Sequence, residues 1–223
     1  RMSVPVLFAG DLHHNPKEVE NETNTAIQTL FNSLRTNFYY IDGNHDMSEK
    51  NSLSHRSPSH INSILNDRLT NVNHTHISTK DMYIQGVSYM NNDSDLKKAI
   101  RALEIPKQEK GKLKILLLHS DAPGAKTPEG FEIGEVEAIP NNLDKFFKKW
   151  DLVLFGHIHQ AQRLSKRCYM LGFPIPQDAG NVNGKCGYWK VYSDGKMQFV
   201  AMENAPQFIK LKEGEKPKDD GNY

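Results

Sequence analysis

Histidines fall in four short clusters: GDLHH from Gly10 to His14, GNHD from Gly43 to Asp46, LLLHS around His119, and GHIHQ around His157 and His159. Each cluster closes an apolar run. The runs are VPVLFAG before Asp11, FYYID before Gly43, KILLL before His119 and DLVLF before Gly156. Short apolar or β-branched runs ending in glycine or a polar ligand type predict buried parallel strands, which lack period-two alternation because both faces are covered. In open α/β sheets the ligand site lies beyond the carboxyl ends of the strands. The four clusters are therefore expected on one rim, where residues far apart in the chain converge.

A single histidine after an apolar run is more often a structural residue than a ligand, but four such runs together point to a metal centre. His157 and His159 flank Ile158, so in an extended segment both imidazoles would leave the same face and suit neighbouring metals. Gly10, Gly43 and Gly156 let the backbone turn sharply under a crowded site.

The four clusters resemble the calcineurin-like metallophosphoesterase superfamily, whose signature runs D-x-H, GD, GNH(D/E), H and GHxH. The similarity extends from about Val4 to Trp189. It implies an α/β fold, a two-sheet β sandwich flanked by helices, and two divalent metal ions, manganese first with iron or zinc as alternatives. The oxygen and imidazole ligand set agrees with those borderline metals. Residue by residue, the resemblance makes Asp11, His13, Asn44, His119, His157 and His159 metal ligands. It makes His45 the catalytic group that acts on the leaving group, and Asp46 the carboxylate that orients His45 or a ligand imidazole. Two divalent ions would supply a nucleophile and neutralise the phosphoryl oxygens, while a histidine within reach protonates the departing alkoxide.

One departure stands out. The family carries a D-x-H motif and a separate GD motif one βα unit later, whose aspartate bridges the metals, and here one such motif precedes GNHD. Read as the first motif, GDLHH has the D-x-H spacing and follows Met2, but a βα unit is missing. Read as the second, Asp11 is the bridging ligand, and the stretch to GNHD fits one helix. Asp42, just before Gly43, is a candidate replacement for the absent carboxylate. Either way the ligand set is short.

The chain has 223 residues, 37% of them hydrophobic and 25% charged, enough for one sizeable core. We expect a single domain over residues 1–212 and a disordered charged tail, EGEKPKDDGNY, over 213–223. No apolar run is long enough for a membrane span, and the N-terminus passes directly into a strand rather than a signal peptide. Cys168 and Cys186 suit neither a disulfide framework nor a zinc ribbon, so a reducing cytoplasmic setting is expected. A formal net charge of +1 neither requires nor excludes a nucleic-acid partner.

Between the motifs, Ile27, Leu30, Phe31 and Leu34 follow helical spacing. Further helices are predicted over 59–69 (Ile61, Ile64, Leu65 and Leu69 on one side), 95–103 and 142–150. A strand is predicted within 81–90. Segments CYMLGFP, GYWKVY and KMQFVAM, with SDG at 193–195 as a turn, are expected to build the second sheet. His74 and His76 should face solvent, and the glycine- and proline-rich segment 121–135 should be a rim loop.

Within the superfamily, GDLHHNPKEV, PSHINSILNDRLTNVNHTH and LGFPIPQDAGNVNGKCGYWKVY are similar to the SbcD-type DNA repair nuclease branch of bacteria and phages. That resemblance implies DNA as substrate, an SbcC-type ATPase subunit as a partner and a homodimer, with no membrane partner. Two other functions fit the motifs: a small-molecule phosphomonoesterase or cyclic-nucleotide phosphodiesterase, and a catalytically impaired interaction scaffold of the same fold. His45 speaks against a pure scaffold, which has no use for a leaving-group acid.

Overall fold

The computed structural model describes residues 4–13, 21–47, 61, 64, 66–176 and 185–206. In chain order the elements are β1 (Val6–Phe8), α1 (Asn21–Ser33), β2 (Phe38–Tyr40), β3 (Leu69–Asn71), β4 (His76–Ser78), β5 (Met82–Val87) and α2 (Asp93–Ala102). They continue with β6 (Leu113–His119), α3 (Leu143–Phe146), β7 (Leu152–Gly156), β8 (Gln162–Arg163), β9 (Cys168–Met170), β10 (Gly187–Val191) and β11 (Met197–Ala201).

The runs that precede the histidine clusters are parallel strands, divided between two sheets. β1, β2 and β3 form a three-stranded parallel sheet, with α1 as the crossover between the first two. The larger sheet has the order β4-β5-β6-β7-β9-β8, and β5, β6, β7 and β9 are mutually parallel. Both faces of its central strands are covered, which is why their sequences are continuously apolar. From β6, Ile115 and Leu117 enter the core between the sheets with Ala9, Ile41, Val72 and Leu154. Leu116 and Leu118 point the other way, into a core shared with Leu96 and Ile100 of α2 and with Leu143, Phe147 and Trp150. The antiparallel β10–β11 hairpin adds Trp189, Val191 and Met197 to the inter-sheet core. The two larger sheets form the expected sandwich flanked by helices, but its second layer is β1–β2–β3; the GYWKVY and KMQFVAM strands expected to build that layer pair with each other as a separate two-stranded sheet.

Helix α1 covers the outside of the small sheet through Ile27 and Phe31, which with Leu34 just past its end pack with Tyr40, Ile61 and Ile64. Leu30, read from its spacing as part of that stripe, is 56% exposed. Asn92 caps α2 by accepting the Ser94 and Asp95 amides, which satisfies donors the helix leaves unpaired.

Several expectations change. Most of the helix predicted over 59–69 lies outside the described residues, and its last residue, Leu69, opens β3 because its backbone pairs with Phe38. The helix predicted over 142–150 is shorter: α3 ends at Phe146, while Phe147 and Trp150 are buried in the turns that follow. Cys168–Met170 of CYMLGFP joins the large sheet beside β7, since its apolar side chains complete the two cores that sheet divides. His74 and His76 are exposed as expected, and Cys168 and Cys186 are free thiols. The tail at 213–223 lies outside the described residues. No helix among the described residues is long and apolar enough to cross a membrane.

Candidate metal centre

The strand ends of the two sheets meet edge to edge. His119 is the last residue of β6, in register with Gly156, the last of β7. Asp11 follows β1, and Asn44 to Asp46 follow β2. The approach is close enough to dictate glycine: a Cβ on Gly156 would lie 2.0 Å from the Ala9 carbonyl oxygen, and one on Gly43 would lie 2.1 Å from Asp11 Oδ1. No side chain fits either position.

Asp11, His119 and His157 each place one ligand atom within 4.8 Å of the others. Asn44 sits among them, its Oδ1 lying 3.0 Å from His119 Nε2 and 3.0 Å from His157 Nδ1. His119 is fully buried and donates its Nδ1–H to the Ala9 carbonyl at 2.6 Å. That bond fixes the tautomer, so Nε2 presents a lone pair to Asn44 Oδ1 and, at 3.2 Å, to Asp11 Oδ2. Acceptors facing a lone pair repel one another unless a cation lies between them. A divalent ion satisfies this nitrogen and oxygen set, so the residues fit a metal.

Burial by itself would raise the Asp11 pKa, but the His119 imidazole and the His45 amide outweigh it and bring the carboxyl down to about 2. Burial likewise opposes the charge on His119, yet the Asp11 carboxylate wins and raises its pKa. His157 moves the other way, lowered by burial and then by the neighbouring His119 charge.

Two of these groups stand on strained backbone. Asp11 has φ 61° and His157 has φ 91°, a region that side-chain-bearing residues seldom occupy. The strain turns each side chain inward and breaks the extended alternation assumed from sequence. His157 faces His119, with ring centroids 5.2 Å apart, while His159 packs edge-on against Phe173 at 5.7 Å. His13 behaves similarly: its Nδ1 lies 3.3 Å from Asp46 Oδ1 and its Nε2 3.4 Å from Asn24 Oδ1. Thus Asp11, Asn44, His119 and His157 are gathered together, whereas His13 and His159 stand outside that group.

Asp46 is fully buried and accepts three main-chain N–H bonds, from Asp11 (2.7 Å), Gly43 (2.9 Å) and His13 (3.0 Å). Its carboxylate ties the two loops together and also lies 3.3 Å from Nδ1 of the His13 imidazole. The His45 amide donates to Asp11 Oδ1 at 2.9 Å. Asp42, the candidate replacement carboxylate, hydrogen-bonds Asn73 through both its backbone amide and its carboxylate and is not in the ligand group.

Two neighbours escaped the sequence reading. Tyr89, just past β5, sets its ring 6.1 Å from that of His119 and 5.9 Å from that of His157, and its amide is held by the Asp42 carbonyl. Asp121 has Oδ1 3.7 Å from His157 Nε2. The available signal was parallel pairing: β5 and β6 end at the same level, so residues just beyond either strand reach the same rim.

Against known proteins, residues 4–161 match the family model described as Calcineurin-like phosphoesterase. A search of curated proteins returns no match.

Proposed function

The chain belongs to the calcineurin-like phosphoesterase family, a family of metal-dependent phosphoester hydrolases, and from that premise we propose that it is a nuclease that cleaves DNA phosphodiester bonds. The observation that carries the hydrolytic reading is the convergence of Asp11, Asn44, His119 and His157 on one point. Bound there, divalent ions supply Lewis acidity toward phosphoryl oxygens and a nucleophile at neutral pH. Asp11, matched to the second family motif, would hold metal through its carboxylate. The single-helix crossover from β1 to the adjacent β2 supports that role over the D-x-H alternative. His119 and Asn44 fix the position of the ligand shell, His45 protonates the leaving oxygen, and Asp46 clamps the two loops. Manganese is the proposed metal.

DNA as substrate rests on the GDLHHNPKEV and LGFPIPQDAGNVNGKCGYWKVY segments, similar to the SbcD-type branch, with an SbcC-type ATPase and a second copy of the chain as partners. The side chains of Asp11 and His157 are 12% and 28% exposed, so the candidate centre is partly accessible from solvent. The test is manganese-dependent cleavage of end-labelled double- and single-stranded DNA beside a small chromogenic phosphodiester. DNA cleavage that falls about 10²- to 10⁴-fold in His45→Ala is expected, the usual size of a general-acid contribution. Hydrolysis of the small diester alone would replace DNA with a small-molecule substrate.

A further inference from the structure

His157 faces the metal centre with Nδ1, which shares Asn44 Oδ1 with His119 Nε2 at equal distances of 3.0 Å. Its other ring nitrogen, Nε2, lies 3.7 Å from Asp121 Oδ1. We propose that Asp121 is a positioning residue for the metal centre, accepting the Nε2–H of His157 and so holding Nδ1 toward the ion. The proposal rests on the reading of His157 as a ligand.

The sheet register places the two residues together. His119 pairs with Gly156 across β6 and β7, so the residues that leave these parallel strands, Ser120 and Asp121 on one side and His157 on the other, emerge at one level. The segment that carries Asp121 is itself anchored. The Ser120 hydroxyl bonds the Asp121 carbonyl, the Ala125 amide bonds the Ala122 carbonyl, and the Gly124 amide bonds the Ile133 carbonyl. Further along, the Gln162 side chain grips Lys126, accepting its N–H at 2.9 Å and donating to its carbonyl at 2.7 Å. The carboxylate is thereby presented from a fixed base.

Chemically, His119 and His157 become parallel cases. Each faces the centre with one nitrogen and has a protein oxygen beyond the other: Ala9 O hydrogen-bonds His119 at 2.6 Å, while Asp121 Oδ1 stands 3.7 Å from His157, a separation that a small side-chain rotation closes. A cation on Nδ1 makes the Nε2–H more acidic and a better donor, and a carboxylate there raises ligand basicity in return. The backbone of His157, at φ 91°, selects where the side chain starts but leaves ring rotation open. Tyr89 packs against the ring, and Asp121 supplies the polar contact that distinguishes one ring nitrogen from the other.

The experiment measures Mn²⁺ affinity of the whole chain by calorimetry for wild type, Asp121→Ala and Asp121→Glu, with melting temperatures of the metal-free proteins. A ¹⁵N-histidine NMR spectrum of the Zn²⁺-loaded forms accompanies it. Asp121→Ala should bind Mn²⁺ about 10- to 100-fold more weakly, with Asp121→Glu recovering part of the loss and the metal-free melting temperatures unchanged. The Zn²⁺-loaded wild type should show a His157 Nε2–H resonance that shifts in Asp121→Ala. If wild type binds Mn²⁺ and Asp121→Ala binds it equally well, the positioning role is refuted while the metal centre stands. Weaker binding that comes with a lowered metal-free melting temperature and no recovery in Asp121→Glu marks a structural role and also refutes it. If wild type binds no Mn²⁺, both the metal-centre reading and this proposal fall.

Discussion

At the scale of single residues, the Asp11–His119 pair makes the metal-free protein sensitive to pH on both sides. Asp11 is lowered from an ordinary 3.8 to about 2, so its contribution is present above 3.8 and is lost as pH falls toward 2. His119 is raised above an ordinary 6.5, so its contribution is present below 6.5 and is lost as pH rises through the folded value. Urea denaturation in chelator should therefore show the pair's stabilisation at its fullest between those limits, with Asp11→Asn flattening the acid side. A pH-independent difference between wild type and Asp11→Asn would contradict this account. The backbone of His157 offers a second residue-scale test. At φ 91° glycine is relaxed and alanine is strained, so metal-free His157→Gly should be more stable than His157→Ala by about 1 kcal/mol. Equal urea midpoints would show that no strain is stored there.

At the scale of elements, Asp46 joins the loop after β1 to the loop after β2 through three backbone amides. Asp46→Ala leaves buried N–H groups without an acceptor, at a cost of about 3 kcal/mol or more. The melting temperature should drop by roughly 6 to 12 °C, and an unchanged melt would mean that the loops are held by other contacts. This clamp also marks how far the sequence could be read. Strands β1, β2, β6 and β7 were legible because continuous apolar runs ended at ligand-type residues, and the fold brings Asp11, Asn44, His119 and His157 together. His13 was placed by the D-x-H resemblance, and His159 by assuming extended backbone on either side of Ile158. The positive φ at Asp11 and His157 breaks that alternation and sends His13 to Asp46 and His159 to Phe173. Backbone handedness at a non-glycine residue has no local signature in sequence; the rim position of Asp121 was legible from the loop expected over 121–135, whereas its place beside His157 and that of Tyr89 depend on the strand register. Leu69 shows the same limit: its helical spacing with Ile61 and Ile64 was real, but pairing with Phe38 decides its conformation.

At the scale of the whole molecule, the candidate ligand group draws on both layers of the sandwich, Asp11 and Asn44 from the ends of the small sheet and His119 and His157 from the large one. Binding to the folded state alone stabilises it by about 2.7 kcal/mol when free metal is 100 times the dissociation constant. Mn²⁺ should therefore raise the melting temperature in a concentration-dependent way, and chelator should reverse the gain. A melt indifferent to Mn²⁺ would place the ion off the folded structure. An ion bound there would add to the ties already at the seam, the His119 bond to the Ala9 carbonyl and the Tyr89 amide's bond to the Asp42 carbonyl. Metal supply would then bear on more than hydrolysis: protease resistance of the folded chain should rise with Mn²⁺ and fall with chelator, so that lifetime in a cell would follow metal availability.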